Sequence, residues 1–400
     1  MDLKDKYDAI VIGSGPAGSS FSRECAKAGM DVLVLEKKKD IGSPVRCGEG
    51  LSGHWENDIG FKIPESAIAA RINGIFVEGP NKKRITIRTP ASKGVVLERK
   101  IFDKHLAFEA GRHGAHILCK TIVTSVIKEN NKPAGVKAVH LGEEFEARAD
   151  LIVSAEGMEA RIGREMGFPA LATLYDSDSC CEYEMVNVPC EDLIEVYIGN
   201  KLAPRGYVWI FPKGKDVANV GIGIGAATGG NPKKLLDDFL ASDERYKNAE
   251  IIEVKVGVIS VGAPLEKLAK DNCMIIGTAA HQVDPIHGGG IGLAIEAGEI
   301  AAKVDAKAFE KKDYSENVLK EYETVWSQAA RGKLLTRLKL RKVFEKLSDN
   351  DLNFLFSEIT SGDFDDILAG KYEGFVSRLL KSTKVLARRP QLLKILPALI

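Results

Sequence analysis

The hydrophobic pattern near the amino terminus predicts a strand, a helix and a second strand. Residues 7–12 form a continuous apolar run suited to a buried strand, and residues 17–28 repeat apolar positions with the period of a helix. Residues 31–35 form a second apolar run. A helix that connects two such runs is typical of parallel strands, so this stretch predicts an α/β fold.

The turn between the first strand and the helix has the G-x-G-x-x-G spacing of dinucleotide-binding sites. Gly13 permits the tight turn, Gly15 lets the backbone approach a pyrophosphate, and Gly18 lets the helix pack close to the strand. The N–H groups at the helix start can bind the anion. Glu36 ends the second strand, where its carboxylate can accept hydrogen bonds from an adenosine ribose. Together these features predict a Rossmann-like dinucleotide site.

A glycine-rich loop and a small sheet are predicted next. Residues 37–52 contain Gly48 and Gly50 among other glycines and prolines, so they indicate an irregular loop that is expected to form part of the site. Residues 71–98 hold three alternating segments, GIFVEG, RITIRT and GVVLER, which predict a small sheet.

The first domain continues with one helix and three strands. The helix is expected at about residues 101–113, opened by Arg99, and the strands at 121–127, 135–140 and 149–154.

A second sheet is predicted from the change of pattern after residue 178. Residues 179–225 read as strands without long helices between them, which indicates an antiparallel sheet that roofs a cavity. Asn231 is placed to cap a helix that reaches residue 241, and a strand is expected at 251–261.

The carboxy-terminal part returns to the first domain and then becomes helical. An apolar strand is predicted at 272–277, and Gly288 to Gly290 lead into a helix through about residue 302. The start of that helix aims its N–H groups and its positive end at whatever lies before it. From residue 313 onward the pattern is helical.

Length and composition exclude several classes of protein. A chain of 400 residues exceeds what one core usually serves. Lys+Arg and Asp+Glu are both 56, so no global charge favours a nucleic acid partner. Seven cysteines without a C-x-x-C pair indicate neither disulfides nor a zinc site, and no metal is expected. No apolar run is long enough to span a bilayer, which predicts a cytoplasmic protein.

The order of the motifs resembles a known group of flavoproteins. GSGPAG, Glu36, IGSPVRCGEG, Arg99 and GGGI resemble the FAD fold shared by para-hydroxybenzoate hydroxylase and its relatives. Within that fold, PVRCGEG at 44–50 and the P-x-x-Y-x-W-x-F-P pattern at 204–212 are similar to the geranylgeranyl reductase family, in particular the archaeal digeranylgeranylglycerophospholipid reductases. The resemblance covers residues 1 to about 330. It implies an FAD-dependent reductase that saturates geranylgeranyl chains in archaeal membrane-lipid synthesis.

The resemblance also implies a division into domains and a set of residues that bind FAD. The implied domains are an FAD-binding domain at 1–175 and 262–310, an antiparallel-sheet substrate domain at 176–261 and a helical region at 311–400. The implied FAD-binding residues are Gly13, Gly15, Ala17, Gly18, Glu36, Arg46, Cys47, Gly48, Gly50, Arg99, Val123, Thr278, Gly289, Gly290 and Ile291.

Two positions depart from the usual pattern of this fold. Glu156-Gly157 stands where the fold normally has Asp-Gly, which conserves the charge. Gly277-Thr278 stands where it normally has Gly-Asp, so a neutral hydroxyl replaces a carboxylate that would bind a ribityl hydroxyl. This exchange is expected to weaken FAD binding by about 1–2 kcal/mol.

Three residues are predicted to act in catalysis: Cys47, Tyr207 and Trp209. An isolated alkene is a poor hydride acceptor, so reduction requires a proton donor and apolar walls. Tyr207, Trp209 and Phe211 alternate along one strand and share a face, which is either an aromatic wall facing a cation or ordinary core. Cys47 either hands on a proton or only lines the flavin, and Arg46 beside it would favour the thiolate.

Two histidines near the predicted flavin segment have two interpretations. His281 and His287 can relay protons, or they can satisfy local hydrogen bonds, while Asp284-Pro285 is expected to shape a turn.

The expected partners are a prenylated glycerophospholipid and an electron donor. No second dinucleotide motif is visible, so the donor can be ferredoxin, a deazaflavin or NAD(P)H. Residues 374–400 combine six basic side chains with leucines, which predicts either a helix on the inner face of the membrane or one docked on its own protein. Two other functions stay open, an FAD-dependent aromatic monooxygenase and a non-redox prenyl-lipid cyclase or isomerase.

Overall fold

The computed structural model describes residues 3–360, 362–363, 373–382, 385 and 388–392. The strands are β1 (Tyr7–Ile12), β2 (Val32–Leu35), β3 (Gly50–Ser52), β4 (Ile68–Ile72), β5 (Ile75–Glu78), β6 (Arg84–Ile87), β7 (Gly94–Leu97), β8 (His116–Leu118), β9 (Thr121–Glu129), β10 (Lys132–His140), β11 (Glu143–Ser154), β12 (Ser177–Val186), β13 (Ile194–Ile198), β14 (Tyr207–Pro212), β15 (Val217–Gly225), β16 (Glu250–Ser260), β17 (Ala269–Lys270) and β18 (Cys273–Ile275).

The helices surround these strands. They are α1 (Pro16–Lys27), α2 (Gly53–Asp58), α3 (Arg99–Arg112), α4 (Arg161–Glu165), α5 (Pro232–Ala241), α6 (Ile291–Lys311), α7 (Glu316–Leu319), α8 (Glu321–Trp326), α9 (Gly332–Phe344), α10 (Asp349–Glu358) and α11 (Glu373–Leu380). Helix α6 extends nine residues beyond the predicted end at 302, because its inward face stays buried as far as Ala308 and is apolar there except for Asp305.

The first sheet contains the predicted strand–helix–strand unit. Its strand order is β17-β18-β11-β1-β2-β8, and β9 and β10 extend it from β11. β1 pairs in parallel with both β2 and β11. Because α1 and α6 cover this sheet, its central strands are apolar on both faces. A Cβ on Gly298 of α6 would lie 2.5 Å from the carbonyl oxygen of Ala17, so glycine allows the two helices to touch.

The second sheet is mainly antiparallel and forms the roof of the molecule. Its strand order is β16-β12-β15-β14-β13-β5-β6, and α5 packs on one face of it. Asn231 caps α5 as predicted, since its side chain accepts a hydrogen bond from the Lys234 N–H.

The prediction of one small sheet within residues 71–98 is wrong. β5 and β6 join the second sheet, where β5 pairs in parallel with β13. β7 instead pairs with β3 and β4 in a separate three-stranded sheet. The alternation of apolar and polar residues determines which side chains share a face of a strand. It does not determine which other strand pairs with it. The division into domains stays a prediction, and the second sheet crosses its boundary at residue 175.

The carboxy-terminal helices pack against both sheets. Arg341 of α9 is buried and donates hydrogen bonds to Asp178 at 2.7 Å and to the carbonyl oxygen of Pro285 at 2.9 Å. These contacts join α9 to the second sheet and to the segment that precedes α6. The predicted fold class, an α/β FAD-binding fold with an inserted antiparallel sheet and a helical carboxy-terminal region, is confirmed.

The described part of the basic tail docks on its own protein. Val376, Leu379, Val385 and Leu392 are buried in a cluster with residues of α9 and α10. In that part, the leucines therefore face the protein and not a membrane. Lys384, Leu386, Leu393, Lys394 and Ile395 of the same prediction lie outside the described residues. Of the helices within the described ranges, none is both long and apolar enough to cross a bilayer.

Candidate active site

A large cavity lies between the two sheets and the carboxy-terminal helices. Its volume is about 2320 Å³, well above the roughly 300–1,000 Å³ usual for a small-molecule pocket. Ten of the predicted site residues line it: Arg46, Cys47, Gly48, Gly50, Tyr207, Trp209, Thr278, Gly289, Gly290 and Ile291. The cavity therefore has room for a cofactor and a long substrate together.

The glycine turn after β1 is held in place by close backbone contacts. Gly13 has φ +104°, and a Cβ there would lie 2.5 Å from the carbonyl oxygen of Ala155. A Cβ on Gly18 would lie 2.0 Å from the carbonyl oxygen of Gly13. At Gly15, by contrast, a Cβ would meet no described atom within 4 Å. Two of the glycines are thus required by packing, and the third leaves open space where a pyrophosphate can approach.

Glu36 is fixed beside this turn at the end of β2. Its two carboxylate oxygens accept hydrogen bonds of 2.8 Å from the N–H groups of Ser14 and Lys38. The carboxylate is buried, which suits an acceptor for the hydroxyls of one ribose.

The start of α1 packs against the segment that leads into α6. A Cβ on Gly277 would lie 2.8 Å from the Cβ of Ala17 in α1, so the segment before α6 packs directly on the start of α1. Gly290 precedes the first residue of α6, and the start of that helix faces the cavity. The two segments can therefore contact opposite parts of one cofactor.

Arg99 and Val123 have protein partners of their own. The Arg99 guanidinium donates hydrogen bonds of 2.6 and 2.7 Å to Asp103 in the next turn of α3. Val123 is buried, and its carbonyl oxygen accepts a hydrogen bond from Arg161. Neither lines the cavity described above, and their contacts with FAD remain predictions.

The two departures from the usual pattern have different surroundings. The Glu156 carboxylate accepts hydrogen bonds from the N–H groups of Ile162 and Gly163, at 3.0 and 2.9 Å, and so caps the start of α4. Thr278 lines the cavity, which leaves its hydroxyl accessible to a ligand.

The three alternating aromatic residues of β14 form one wall of the cavity. Tyr207 and Trp209 have ring centroids 5.7 Å apart in an edge-on arrangement, and Trp209 and Phe211 are 6.3 Å apart. A Cβ on Gly48 would lie 2.9 Å from the Phe211 ring, so the glycine-rich loop packs on this wall. The Tyr207 hydroxyl donates a 2.7 Å hydrogen bond to the carbonyl oxygen of His287.

Cys47 lines the cavity, and its surroundings disfavour the thiolate. Burial raises the pKa of Cys47, and the nearby Arg99 guanidinium lowers it by less. The thiol accepts a 3.2 Å hydrogen bond from the Glu49 N–H. The expected influence of Arg46 was assigned to the wrong arginine, because Arg46 is exposed at the cavity rim and Arg99 is the cation that acts on the thiol. All seven cysteines are free.

The two histidines have local partners. His281 is buried with its Nε2 3.4 Å from the carbonyl oxygen of Ala170, and burial lowers its pKa. His287 lines the cavity, accepts from the Gly289 N–H at 3.0 Å and has its Nε2 3.3 Å from Asp284. These contacts favour the local hydrogen-bonding interpretation. Asp284 shapes the turn as predicted, by accepting from the Ile286 N–H at 2.8 Å.

A buried network of charged residues lies under the aromatic wall, and it was not predicted from the sequence. Lys213 and Lys255 both approach Glu49, at 3.0 and 3.1 Å. Lys255 also lies 3.1 Å from Glu182 and 3.4 Å from Glu184. The signal that could have revealed it is the segment CCEYEMV, where two glutamates share one face of a strand that is otherwise apolar.

The fold and the site define the class of protein. A glycine turn with open space at Gly15, an acid at the end of β2 and a large adjoining cavity are the features of an FAD-dependent oxidoreductase. The sequence profile of an FAD-binding domain matches residues 6–196, and that of a geranylgeranyl reductase catalytic domain matches residues 176–259.

Comparison with curated proteins gives the family. The chain is 38% identical to the digeranylgeranylglycerophospholipid reductase of Methanococcus vannielii, over 100% of this chain and 99% of that protein. It is also 38% identical to the protein of the same name from Methanocaldococcus jannaschii, over 98% of both. The chain belongs to the geranylgeranyl reductase family, as its motifs predict.

Solved structures agree with this placement. The crystal structure of a geranylgeranyl bacteriochlorophyll reductase-like protein from Thermoplasma acidophilum has a TM-score of 0.89 and 35% identity, covering 99% of this chain and 100% of that one. A flavin-dependent brominase has a TM-score of 0.74 at 22% identity, covering 92% of this chain and 93% of that one, and shares the fold alone.

Proposed function

We propose that this protein is an FAD-dependent reductase that saturates the geranylgeranyl chains of a digeranylgeranylglycerophospholipid in archaeal-type membrane lipid synthesis. The full-length relationship to reductases of that name carries the proposal. The cavity supports it, because its volume suits a long substrate and much of its wall is aliphatic or aromatic. The apolar lining includes Ile75, Val77, Ile194, Val196, Ile198, Leu352, Leu355 and Phe356.

The residues around the glycine turn fit an FAD molecule. The turn from Gly13 to Gly18 would hold the pyrophosphate and Glu36 the ribose, while the loop at 46–50 and residues 289–291 would hold the flavin end. When bound and reduced, the flavin supplies a hydride.

The cavity walls suit a reaction that passes through positive charge. An isolated alkene has nothing to stabilise a carbanion, so one carbon must be protonated as the other accepts hydride. The π faces of Tyr207 and Trp209 attract a developing cation, an interaction of about 0.5–2 kcal/mol. The aliphatic walls exclude water, which would otherwise trap that cation.

In the expected reaction, the lipid substrate gains two hydrogens for each double bond that is reduced. Dithionite-reduced enzyme incubated with a digeranylgeranylglycerophospholipid should give products heavier by that increment in mass spectrometry, and heat-inactivated enzyme should give none. The chemical reductant makes the test independent of the physiological donor, which we propose is ferredoxin, a deazaflavin or NAD(P)H. Unchanged mass would identify a cyclase or isomerase, and substrate-dependent oxygen uptake would identify a monooxygenase. Either result would contradict the proposal.

We further propose that the enzyme takes its substrate from a membrane surface through an apolar rim of the cavity. Leu171 and Leu174 are 73% and 71% exposed, Val256 and Val258 are 61% and 52% exposed, and all four line the cavity. Exposed apolar residues grouped at a cavity mouth are typical of a surface that meets lipid. We therefore propose this rim, and not the described part of the basic tail, as the surface that contacts the membrane.

Removing the two rim leucines should weaken membrane binding. Burying a leucine side chain contributes about 1.5–3 kcal/mol, so the double variant Leu171→Ser/Leu174→Ser should bind vesicles of phosphatidylcholine and phosphatidylglycerol at least roughly tenfold less tightly in flotation assays. Leu141→Ser is the matched control, because Leu141 is similarly exposed but lies at the turn between β10 and β11. Equal flotation of both variants and the wild type would contradict the proposal.

A further inference from the structure

Glu182 is a buried carboxyl group at the wall of the cavity that the motif analysis did not assign. It lies on β12 and lines the cavity beneath the aromatic wall. Its Oε2 accepts a 2.8 Å hydrogen bond from the Trp209 indole N–H. Its Oε1 lies 3.1 Å from the Lys255 ammonium, yet among the described residues no group hydrogen-bonds to that oxygen in good geometry. A buried carboxyl oxygen in this situation is suited to carry a proton.

The surrounding network has more carboxylates than ammonium groups. Two ammonium groups, of Lys213 and Lys255, contact four carboxyl groups, those of Glu49, Glu98, Glu182 and Glu184. Glu98 and Glu184 are partly exposed, at 33% and 22%, whereas Glu49 and Glu182 are buried. The buried Glu49 carboxylate beside Glu182 favours the protonated form of Glu182.

Glu49 is the carboxylate that stays ionised. Its Oε1 accepts from the Arg99 backbone N–H at 2.9 Å, and its Oε2 accepts from Asn219 at 2.7 Å as well as from the two lysines. Burial alone would raise the pKa of Glu49, but the ammonium groups of Lys255 and Lys213 outweigh it and the pKa is lowered.

The pKa of Glu182 is shifted in the opposite direction to that of Glu49. Burial raises the pKa of Glu182 to about 7, although the Lys255 ammonium and the Trp209 N–H act against the rise, and the Glu49 carboxylate adds to it. The thiols of Cys47, Cys180 and Cys181 also lie near enough to sense its charge. Two carboxyl groups that share a lysine and have oppositely shifted pKa values are the pattern of an acid and its stabilising partner.

The two donors predicted from the sequence, Cys47 and Tyr207, are weaker acids. Burial raises the pKa of the Cys47 thiol above its ordinary value. Burial also raises the pKa of Tyr207, whose proton is engaged with the His287 carbonyl oxygen. Near neutral pH, Glu182 transfers a proton more readily than either.

We propose that Glu182 is the general acid that protonates the substrate alkene in the reduction described above, on which this inference rests. The O–H bond of Glu182 breaks, and a C–H bond forms at the less substituted alkene carbon from the π electron pair. The tertiary carbon then accepts the hydride of the proposed reaction with its electron pair. The Glu182 carboxylate regains a proton from solvent, and the Lys255 ammonium stabilises it in the interval.

The test compares Glu182→Gln with Glu184→Gln. Glutamine keeps the acceptor for the Trp209 indole but has no acidic proton. Glu184 lies two residues along the same strand, approaches the two lysines at 3.0 and 3.4 Å and does not line the cavity, so its variant removes a carboxyl group from the same network. With reduced enzyme in a single turnover, the Glu182→Gln variant should reduce the lipid about 100-fold more slowly. The Glu184→Gln variant should stay within a few-fold of wild type, and both should keep the flavin absorption spectrum.

Two further measurements separate this inference from the proposed function. The wild-type rate should fall as pH rises through about 7, since the acid form is lost, and the Glu182→Gln rate should lack that step. Infrared spectra should show a protonated carboxyl band that titrates in the same range in wild type and in Glu184→Gln and is missing in Glu182→Gln. Glu182→Asp, which keeps an acid, should recover part of the rate if the glutamine variant folds poorly.

The outcomes are distinguishable. An unchanged rate and pH profile in Glu182→Gln, or an infrared band that persists in it, would overturn the assignment of Glu182 while leaving the reductase function intact. A wild-type enzyme that reduces no lipid double bond would overturn the function itself and with it the proton transfer.

Discussion

Replacing Gly18 with alanine will abolish FAD binding and destabilise the first domain. The added Cβ would lie 2.0 Å from the carbonyl oxygen of Gly13 and 3.1 Å from the Cβ of Ala155. The nearer atom belongs to the backbone of a turn that is itself packed against β11, so it has no room to move away. Overpacking of this kind costs about 1–3 kcal/mol where side chains can adjust, and we expect at least the upper figure here. Flavin absorbance of the purified protein and urea unfolding will measure both effects.

Gly15→Ala separates the effect on the cofactor from the effect on the fold. Gly15 has φ −76°, which any residue adopts, and its Cβ would meet no described protein atom within 4 Å. The variant should therefore unfold at the wild-type urea concentration but bind FAD at least about tenfold more weakly, a loss of about 1.4 kcal/mol. Wild-type FAD affinity in Gly15→Ala would show that the pyrophosphate binds elsewhere.

Lys255→Met will be the most destabilising single change in the charged network. The Lys255 side chain is 3% exposed, and its ammonium group contacts Glu49, Glu182 and Asn219. Removing one partner of a buried ion pair typically costs about 3–5 kcal/mol, because the remaining charge is left uncompensated. The same change removes the cation that opposes the raised pKa of Glu182, so the fall in rate should move to higher pH. Urea unfolding and the pH profile of single-turnover reduction will check the two results.

The control for Lys255→Met is an exposed ion pair of the same type. Lys137 and Glu146 lie 3.0 Å apart, and both side chains are largely exposed. Lys137→Met should change stability by about 1 kcal/mol or less, since water already screens that pair. The double variant Lys255→Met/Glu182→Gln should recover part of the lost stability. If Lys255→Met lowered the free energy of unfolding no more than Lys137→Met does, the charged network would have to be accessible to water, which contradicts this prediction.

The structure brings motifs that are distant in the sequence together by long-range packing. The motif residues at 44–50, 207–211 and 288–291 come together around one cavity, as their spacing and the family resemblance imply. Arg99, whose contact with FAD stays a prediction, pairs with Asp103, and the apolar residues Val376, Leu379, Val385 and Leu392 of the tail are buried against α9 and α10. The Arg99–Asp103 pair is a local contact between residues four apart on one helix, whereas the packing of the tail depends on which surface lies opposite it.

By itself the sequence determined the parts of this protein whose physical cause is local. Gly13 needs glycine because its φ is +104°, and Gly18 needs it because a Cβ would meet the carbonyl oxygen of Gly13 in the same turn. The shared face of Tyr207 and Trp209 follows from the two-residue period of a strand. Only the tertiary structure decided that Glu49, Glu182 and Lys255 meet, since they lie up to 206 residues apart. The acidity of Glu182 is a property of that meeting, because a pKa is set by burial and by the charges that the fold brings within a few ångströms.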